Sequence, residues 1–241
     1  MHHLATLLEM PTASILPAQW GGRRGILSRS VLHHGGERLD HGNSVLSARF
    51  ADYDQSRTGE NPGYTVAAVK EALEGVGPPV EVKWPSSFTA YDVWAGYLLL
   101  DAWVAGRDRH HENWAVILSG EDRRLAPSFD HGSALAFQER DARQAWILND
   151  EERFSRWLNR GTSRHFRGKP HLVDLALQAL SLASPVARSH WFEKLSTCSE
   201  DSVQSLLYEV PDDIMSETSR IFAVRLLEET RRRLLNGHEN P

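Results

Sequence analysis

The chain has 241 residues, 41% hydrophobic and 24% charged, enough for one large domain or two small lobes with a real core. Its net charge of −5 argues against a chain-wide electrostatic grip on nucleic acid. A single cysteine, Cys198, excludes an intrachain disulfide framework and a cysteine-cluster zinc site and fits a reducing cytoplasm.

Residues 2–9 read as the last turns of a helix stopped by Pro11. This start lacks the basic region and the apolar length of a signal peptide. Residues 13–18 and 25–31 read as short strands on either side of a Trp20-Gly21-Gly22 turn. Residues 32–62, rich in Gly, His, Asp and Asn, read as loop with short pieces of structure. Val66, Val69 and Leu73 have helical spacing over 65–73, and Gly75 follows. A stronger helix, capped by Ser86 or Ser87, carries Phe88, Val93, Trp94, Tyr97, Leu98, Leu100 and Trp103 and stops at Gly106. It is apolar nearly all round, which predicts burial. The run 93–105 is interrupted by Asp101 and falls short of the ~20 residues of a membrane span. A soluble, cytoplasmic protein without membrane contact or direct nucleic-acid binding is therefore expected.

Residues 114–118 read as a strand, Ser119-Gly120-Glu121-Asp122 as a turn, and 124–127 as the return. From about residue 150 the pattern is helical, over 151–159, 171–182, 185–195, 201–208 and 216–235. Ser184-Pro185 and Pro211-Asp212-Asp213 supply helix starts. Arg231-Arg232-Arg233 reads as a solvated basic helix end that complements the dipole.

The chemistry concentrates between the buried helix and the hairpin, and just after the hairpin. Residues 106–113 are Gly-Arg-Asp-Arg-His-His-Glu-Asn, and Asp130-His131-Gly132 follows the return strand. Phosphoryl transfer asks for a carboxylate near the acceptor hydroxyl and hard oxygen ligands for magnesium. Asp108 can be the base. Asn113 offers a neutral amide oxygen, and Asp130 a carboxylate. The Asp108-to-Asn113 interval equals that between the Asp and Asn of a protein-kinase catalytic loop, and the hairpin returns Asp130 toward Asn113. Two other readings stand beside this one. The loop can be an ordinary capping loop, or His110, His111, Asp108, Asp130 and His131 can ligate a hydrolase metal.

Asp108, His110 and Asn113, followed by a hairpin, Leu125-Ala126-Pro127 and Asp130, resemble the HipA-like kinases. These are bacterial serine/threonine protein kinases, several of them toxins of toxin–antitoxin pairs. Phosphoinositide 3/4-kinases carry a similar Asp-Arg-His-x-x-Asn loop. The resemblance implies an α+β, protein-kinase-like fold with a reduced N-terminal lobe and hinge over 1–62 and a mainly helical C-terminal lobe over 63–241. Gly22 to Ser28 would lead to a hinge near 28–32. It implies ATP and magnesium as cofactors, with Asp108 as catalytic base, His110 bracing the catalytic loop, and Asn113 and Asp130 holding the metal. It also implies a protein Ser/Thr hydroxyl as acceptor and leaves room for an antitoxin-like partner.

Such kinases also carry a Gly-rich phosphate loop and a strand lysine. The lysines here are Lys70, Lys83, Lys169 and Lys194, none on a strand before the hinge. Three expectations follow: a segment upstream of Met1, a small lobe supplied by another polypeptide, or a non-catalytic relative that binds a partner.

Overall fold

The computed structural model describes residues 1–239. Helix α1 (His2–Leu7) buries Leu4 and Ala5 and ends before Pro11. Strands β1 (Ile15–Trp20) and β2 (Arg23–Ser28) form an antiparallel hairpin, registered from Ile15 opposite Ser28 to Trp20 opposite Arg23. Gly21 and Gly22, at φ +54° and +75°, supply the two left-handed positions that a tight two-residue hairpin turn requires. The second strand thus begins two residues earlier than its pattern predicts. Leu16, Trp20, Ile26 and Leu27 of this hairpin are exposed.

The stretch read as loop holds two elements. Strand β3 (Arg38–His41) pairs antiparallel with a later strand, and α2 (Gly42–Arg49) follows it directly. The junction is fixed by a close approach at Gly42. A Cβ there would sit 2.2 Å from the Trp114 ring and 2.5 Å from the His111 carbonyl oxygen. Gly42 N–H also donates to the Trp114 carbonyl at 2.9 Å. Only glycine lets this turn lie against the 106–113 loop and Trp114.

Helix α3 (Val66–Ala72) starts at Thr65, whose side chain accepts from Ala68 N–H. Helix α4 (Ala90–Trp103) starts at Thr89, three residues after the predicted caps. Thr89 Oγ1 accepts from Asp92 N–H at 3.1 Å, and Asp92 Oδ2 accepts from Thr89 N–H at 2.9 Å, a reciprocal capping box. Ser86 and Ser87 lie outside it. All residues of α4 are buried, and each large apolar side chain so covered contributes about 1.5–3 kcal/mol. Two ring donors bond across helices: Trp103 Nε1 donates to the Leu227 carbonyl at 3.1 Å, and Trp191 Nε1 to the Asp92 carbonyl at 2.8 Å, whereas the buried Trp94 Nε1 has no partner among the described residues.

Strands β4 (Ala115–Ser119) and β5 (Asp122–Leu125) complete a three-stranded antiparallel sheet in the order β3-β4-β5. A buried ion pair between Arg124 and Glu37 ties β5 to the segment before β3. The helical half begins earlier than predicted, with α5 (Asp141–Leu148), which buries Gln144 and Ile147. There follow α6 (Glu151–Leu158), α7 (Leu172–Leu182), α8 (Pro185–Thr197), α9 (Glu200–Tyr208) and α10 (Glu217–Glu239). Pro211-Asp212-Asp213 forms a turn and no helix start. Ser216 Oγ instead accepts from Ser219 N–H at the beginning of α10. Arg231 is not simply solvated, because it donates to the Leu195 and Ser196 carbonyls near the end of α8. Cys198 closes that helix, buried, with its thiol pushed up to about 11 by burial, which keeps it protonated. Among the described residues no helix is long and apolar enough to cross a membrane.

Helices α7, α8 and α10 pack around α4. The α4–α8 contact depends on Gly96, where a Cβ would lie 2.4 Å from the fully buried Trp191 ring. Alanine improves helix propensity by about 1 kcal/mol, whereas overpacking costs about 1–3 kcal/mol. We expect overpacking to win, so Gly96→Ala should lower the urea midpoint. A raised midpoint would show that α8 slides away at little cost.

Candidate active site

The last turn of α4 carries Asp101, the acid that interrupts the apolar run. It is buried, and Arg109 meets it as a fork: Nε to Oδ2 at 2.7 Å and an Nη to Oδ1 at 2.8 Å. Burial pushes the Asp101 carboxyl upward, against the pull of Arg109. Burial also works against the Arg109 charge, but Asp101 raises its pKa above the ordinary arginine value. Arg109 further donates to the Asn113 carbonyl at 2.7 Å and to Ser128 Oγ at 3.0 Å. One buried side chain therefore joins α4, the 106–113 loop and the segment after β5.

Asp108 is half-buried. Its Oδ1 lies 2.7 Å from His165 Nε2, and its Oδ2 accepts from Ser133 Oγ at 3.2 Å. Its carbonyl accepts from His110 N–H at 2.8 Å and from Asn113 Nδ2 at 2.6 Å. Asn113 is buried, and its amide nitrogen is thus committed. Its Oδ1 accepts no hydrogen bond among the described residues. Asp130 is exposed and sits at φ +57°, a left-handed conformation that Asp tolerates better than most side chains. Asp108 and Asp130 line one small pocket with His131 and Ser133, over the Asp101–Arg109 pair. Asn113 does not line it and reaches it through the Asp108 backbone.

The histidines have separate tasks. His110 Nδ1 accepts from Glu112 N–H at 3.1 Å, and its ring meets His165 edge-on with centroids 5.2 Å apart. Burial, then His165, holds its pKa below the usual histidine range. His111 turns the other way, with Nδ1 2.6 Å from the Tyr53 hydroxyl. His131 Nε2 lies 2.8 Å from Ser128 Oγ. Burial, then Arg109, lowers its pKa to about 3, so the ring is neutral. Ser128 Oγ thus accepts from Arg109 and shares a hydrogen bond with His131. No three His, Cys, Asp or Glu side chains among the described residues form a group able to hold a metal. His110, His111 and His131 each engage a different partner, so they do not converge as the hydrolase reading expects.

None of the lysines lines the pocket. Lys70 donates to the Leu182 carbonyl, Lys169 pairs with Glu60 and Lys194 with Glu9, while Lys83 is exposed. Arg24 pairs with Asp213. Sequence reading missed His165, which reaches Asp108 from between α6 and α7 with no motif around it. It also missed the support role of Asp101, whose signal was present as the acid that interrupts the apolar run 93–105.

No protein-family model matches the sequence, and no curated protein matches it significantly. Solved structures do match. The Helicobacter pylori proinflammatory kinase CtkA superposes with a TM-score of 0.74 at 16% identity, covering 97% of this chain and 81% of that one. The HipA toxin–antitoxin system of Shewanella oneidensis MR-1, solved with HipB and operator DNA, matches with a TM-score of 0.56 at 12% identity, covering 97% and 53%. The chain therefore has the α+β, HipA-like kinase fold.

Removing one partner of a buried, hydrogen-bonded ion pair costs about 3–5 kcal/mol. Arg109→Ala should lose stability in that range on chemical unfolding. Arg109→Lys keeps the charge without the fork and should recover only part. Wild-type stability in either variant would mean that the loop is held by other contacts.

Proposed function

We propose that the chain is a phosphotransferase that uses ATP and magnesium to phosphorylate a protein Ser/Thr hydroxyl. The observation that carries this reading is the pocket shared by Asp108 and Asp130, with Asn113 locked to the Asp108 carbonyl. Its donor set suits magnesium, which takes hard oxygens and keeps several positions for water and phosphate, so few protein ligands suffice. Asn113 Oδ1 and the Asp130 carboxylate would hold the ion. When bound, ATP supplies the phosphoryl group and magnesium offsets its charge.

In this reading Asp108 orients the acceptor hydroxyl and takes its proton. Its two carboxylate oxygens are aimed by His165 and Ser133, and each keeps a second lone pair. His110 braces the loop, since its ring nitrogen is engaged by Glu112 N–H and burial keeps the ring neutral. Residues 1–62 would be the reduced N-terminal lobe and hinge, and 63–241 the helical lobe. An antitoxin-like partner and a cytoplasmic setting belong to the same reading. One observation favours a second reading, a nucleotide-binding or partner-binding module without catalysis: every lysine lies outside the pocket.

Two measurements decide. Calorimetry should find magnesium-dependent ATP binding that Asp130→Ala weakens by about tenfold or more, a difference of ~1.4 kcal/mol. Equal binding by both proteins would remove Asp130 from the metal site. Asp108→Asn should retain nucleotide binding and lose about 10²–10⁴-fold in phosphotransfer, the usual contribution of a positioned base. Wild-type nucleotide binding with no phosphotransfer would establish the binding-module reading instead.

A further inference from the structure

Beside the proposed base lies an open cleft of about 710 Å³ with no role in the chemistry above. It runs between the segment after Asp130 and helices α6, α7 and α10. Ser133 belongs to both places: its hydroxyl donates to Asp108, and its side chain also lines the cleft. A chain lying in the cleft therefore reaches Asp108 past a single residue.

The cleft wall is cationic. Five arginines line it, against two acids, Glu139 and Asp174. Glu139 is engaged by Trp157 Nε1 at 2.9 Å. Of the arginines, Arg233 pairs with Glu229 and Arg143 stacks on Trp146. Arg107, Arg160 and Arg164 form no ion pair among the described residues. Arg107 is held in place by the Thr162 carbonyl at 3.0 Å, and burial, then the nearby Arg164, lowers its pKa. Cations that outnumber the acids around them raise the local potential and favour an arriving anion. Exposed Phe137 and half-buried Trp157 and Leu177 add apolar surface. Such a mixture suits a polypeptide better than a phosphate backbone, which rewards a purely basic track.

We propose that this cleft binds the acceptor polypeptide and selects an acidic one, with Asp or Glu side chains beside the acceptor hydroxyl seated on Arg107, Arg160 and Arg164. The inference rests on the phosphotransfer reading and names its substrate class.

The test uses the full chain and two fluorescent serine peptides, one flanked by Glu and one by Lys, followed by anisotropy. The Glu peptide should bind about tenfold tighter or more and lose that advantage as salt rises. Arg160→Glu with Arg164→Glu should reverse the preference while leaving magnesium-ATP binding unchanged. The milder Arg160→Gln with Arg164→Gln should abolish the preference without reversing it. Equal affinity of the two peptides for wild type, or a preference indifferent to these substitutions, would overturn the proposal with the phosphotransfer reading intact. Tighter binding of single-stranded RNA than of the Glu peptide would overturn it as well. A Glu-peptide preference in a protein that binds no nucleotide would overturn the acceptor role together with the phosphotransfer reading.

Discussion

The Asp101–Arg109 pair is the constraint on which the site depends. Two opposite charges taken out of water carry a desolvation cost that mutual attraction offsets only with near-ideal geometry and every remaining donor satisfied. Arg109 has the geometry and most of the donors engaged: of its five N–H groups, two take the carboxylate as a fork and two more take the Asn113 carbonyl and Ser128 Oγ. The planar fork makes this possible, and a lysine ammonium could not reproduce it. The same bonds fix the path of the backbone on either side, so Asp108 and Asn113 inherit their positions from a residue that touches neither carboxylate nor amide oxygen. The partners of Arg109 lie on three separate segments, and their relative placement holds only while the helix end stays buried.

That burial comes from α4, and the glycines around it show how closely it is surrounded. Gly96 admits the Trp191 ring, and Gly42 admits the Trp114 ring and the His111 carbonyl. The second contact places β3 and α2, far earlier in the chain, against the loop. A sheet edge, two glycines and a fully buried helix therefore act on the same short stretch. Tight packing of this kind tolerates little volume change, which gives the loop a rigid support.

How much of this was legible follows from the signals each element carries. Helix α4, the β4–β5 hairpin and most later helices announce themselves through apolar spacing, caps and turn residues. The Asp108, Asn113 and Asp130 pattern is visible because its parts sit at fixed separations. Strand β3 was hidden, since Arg38-Leu39-Asp40-His41 has one aliphatic residue and is too short to show alternation. Helix α5 was hidden because it buries little beyond Gln144 and Ile147. The cap at Thr89 lost to two nearby serines, although Asp92 three residues later completed its box. His165 could not be found at all, because its contact with Asp108 is created only by the packing of the helical half. Local chemistry can be read from spacing, but a partner brought in by tertiary structure cannot.

The supports and the working groups are held differently, and the difference has an electrostatic logic. Asp101, Arg109 and Ser128 are buried, while Asp108 is half-buried and Asp130 is exposed at a left-handed φ. A protonated His131 would set a second cation beside Arg109. Burial keeps that ring neutral, and the Ser128 hydroxyl links it to Arg109 by hydrogen bonds on both sides. The charge beneath the pocket is thereby closed on itself. The carboxylates of Asp108 and Asp130 remain uncompensated by any cation in their own pocket beyond the one that Asp101 already holds. In the proposed reaction a cation and an acceptor proton would meet that negative charge, and the unpaired arginines line the neighbouring cleft that Ser133 shares with the pocket. The same short segment after β5 thus separates an anionic pocket from a cationic cleft, and an incoming chain with acidic side chains would be attracted by one and oriented by the other.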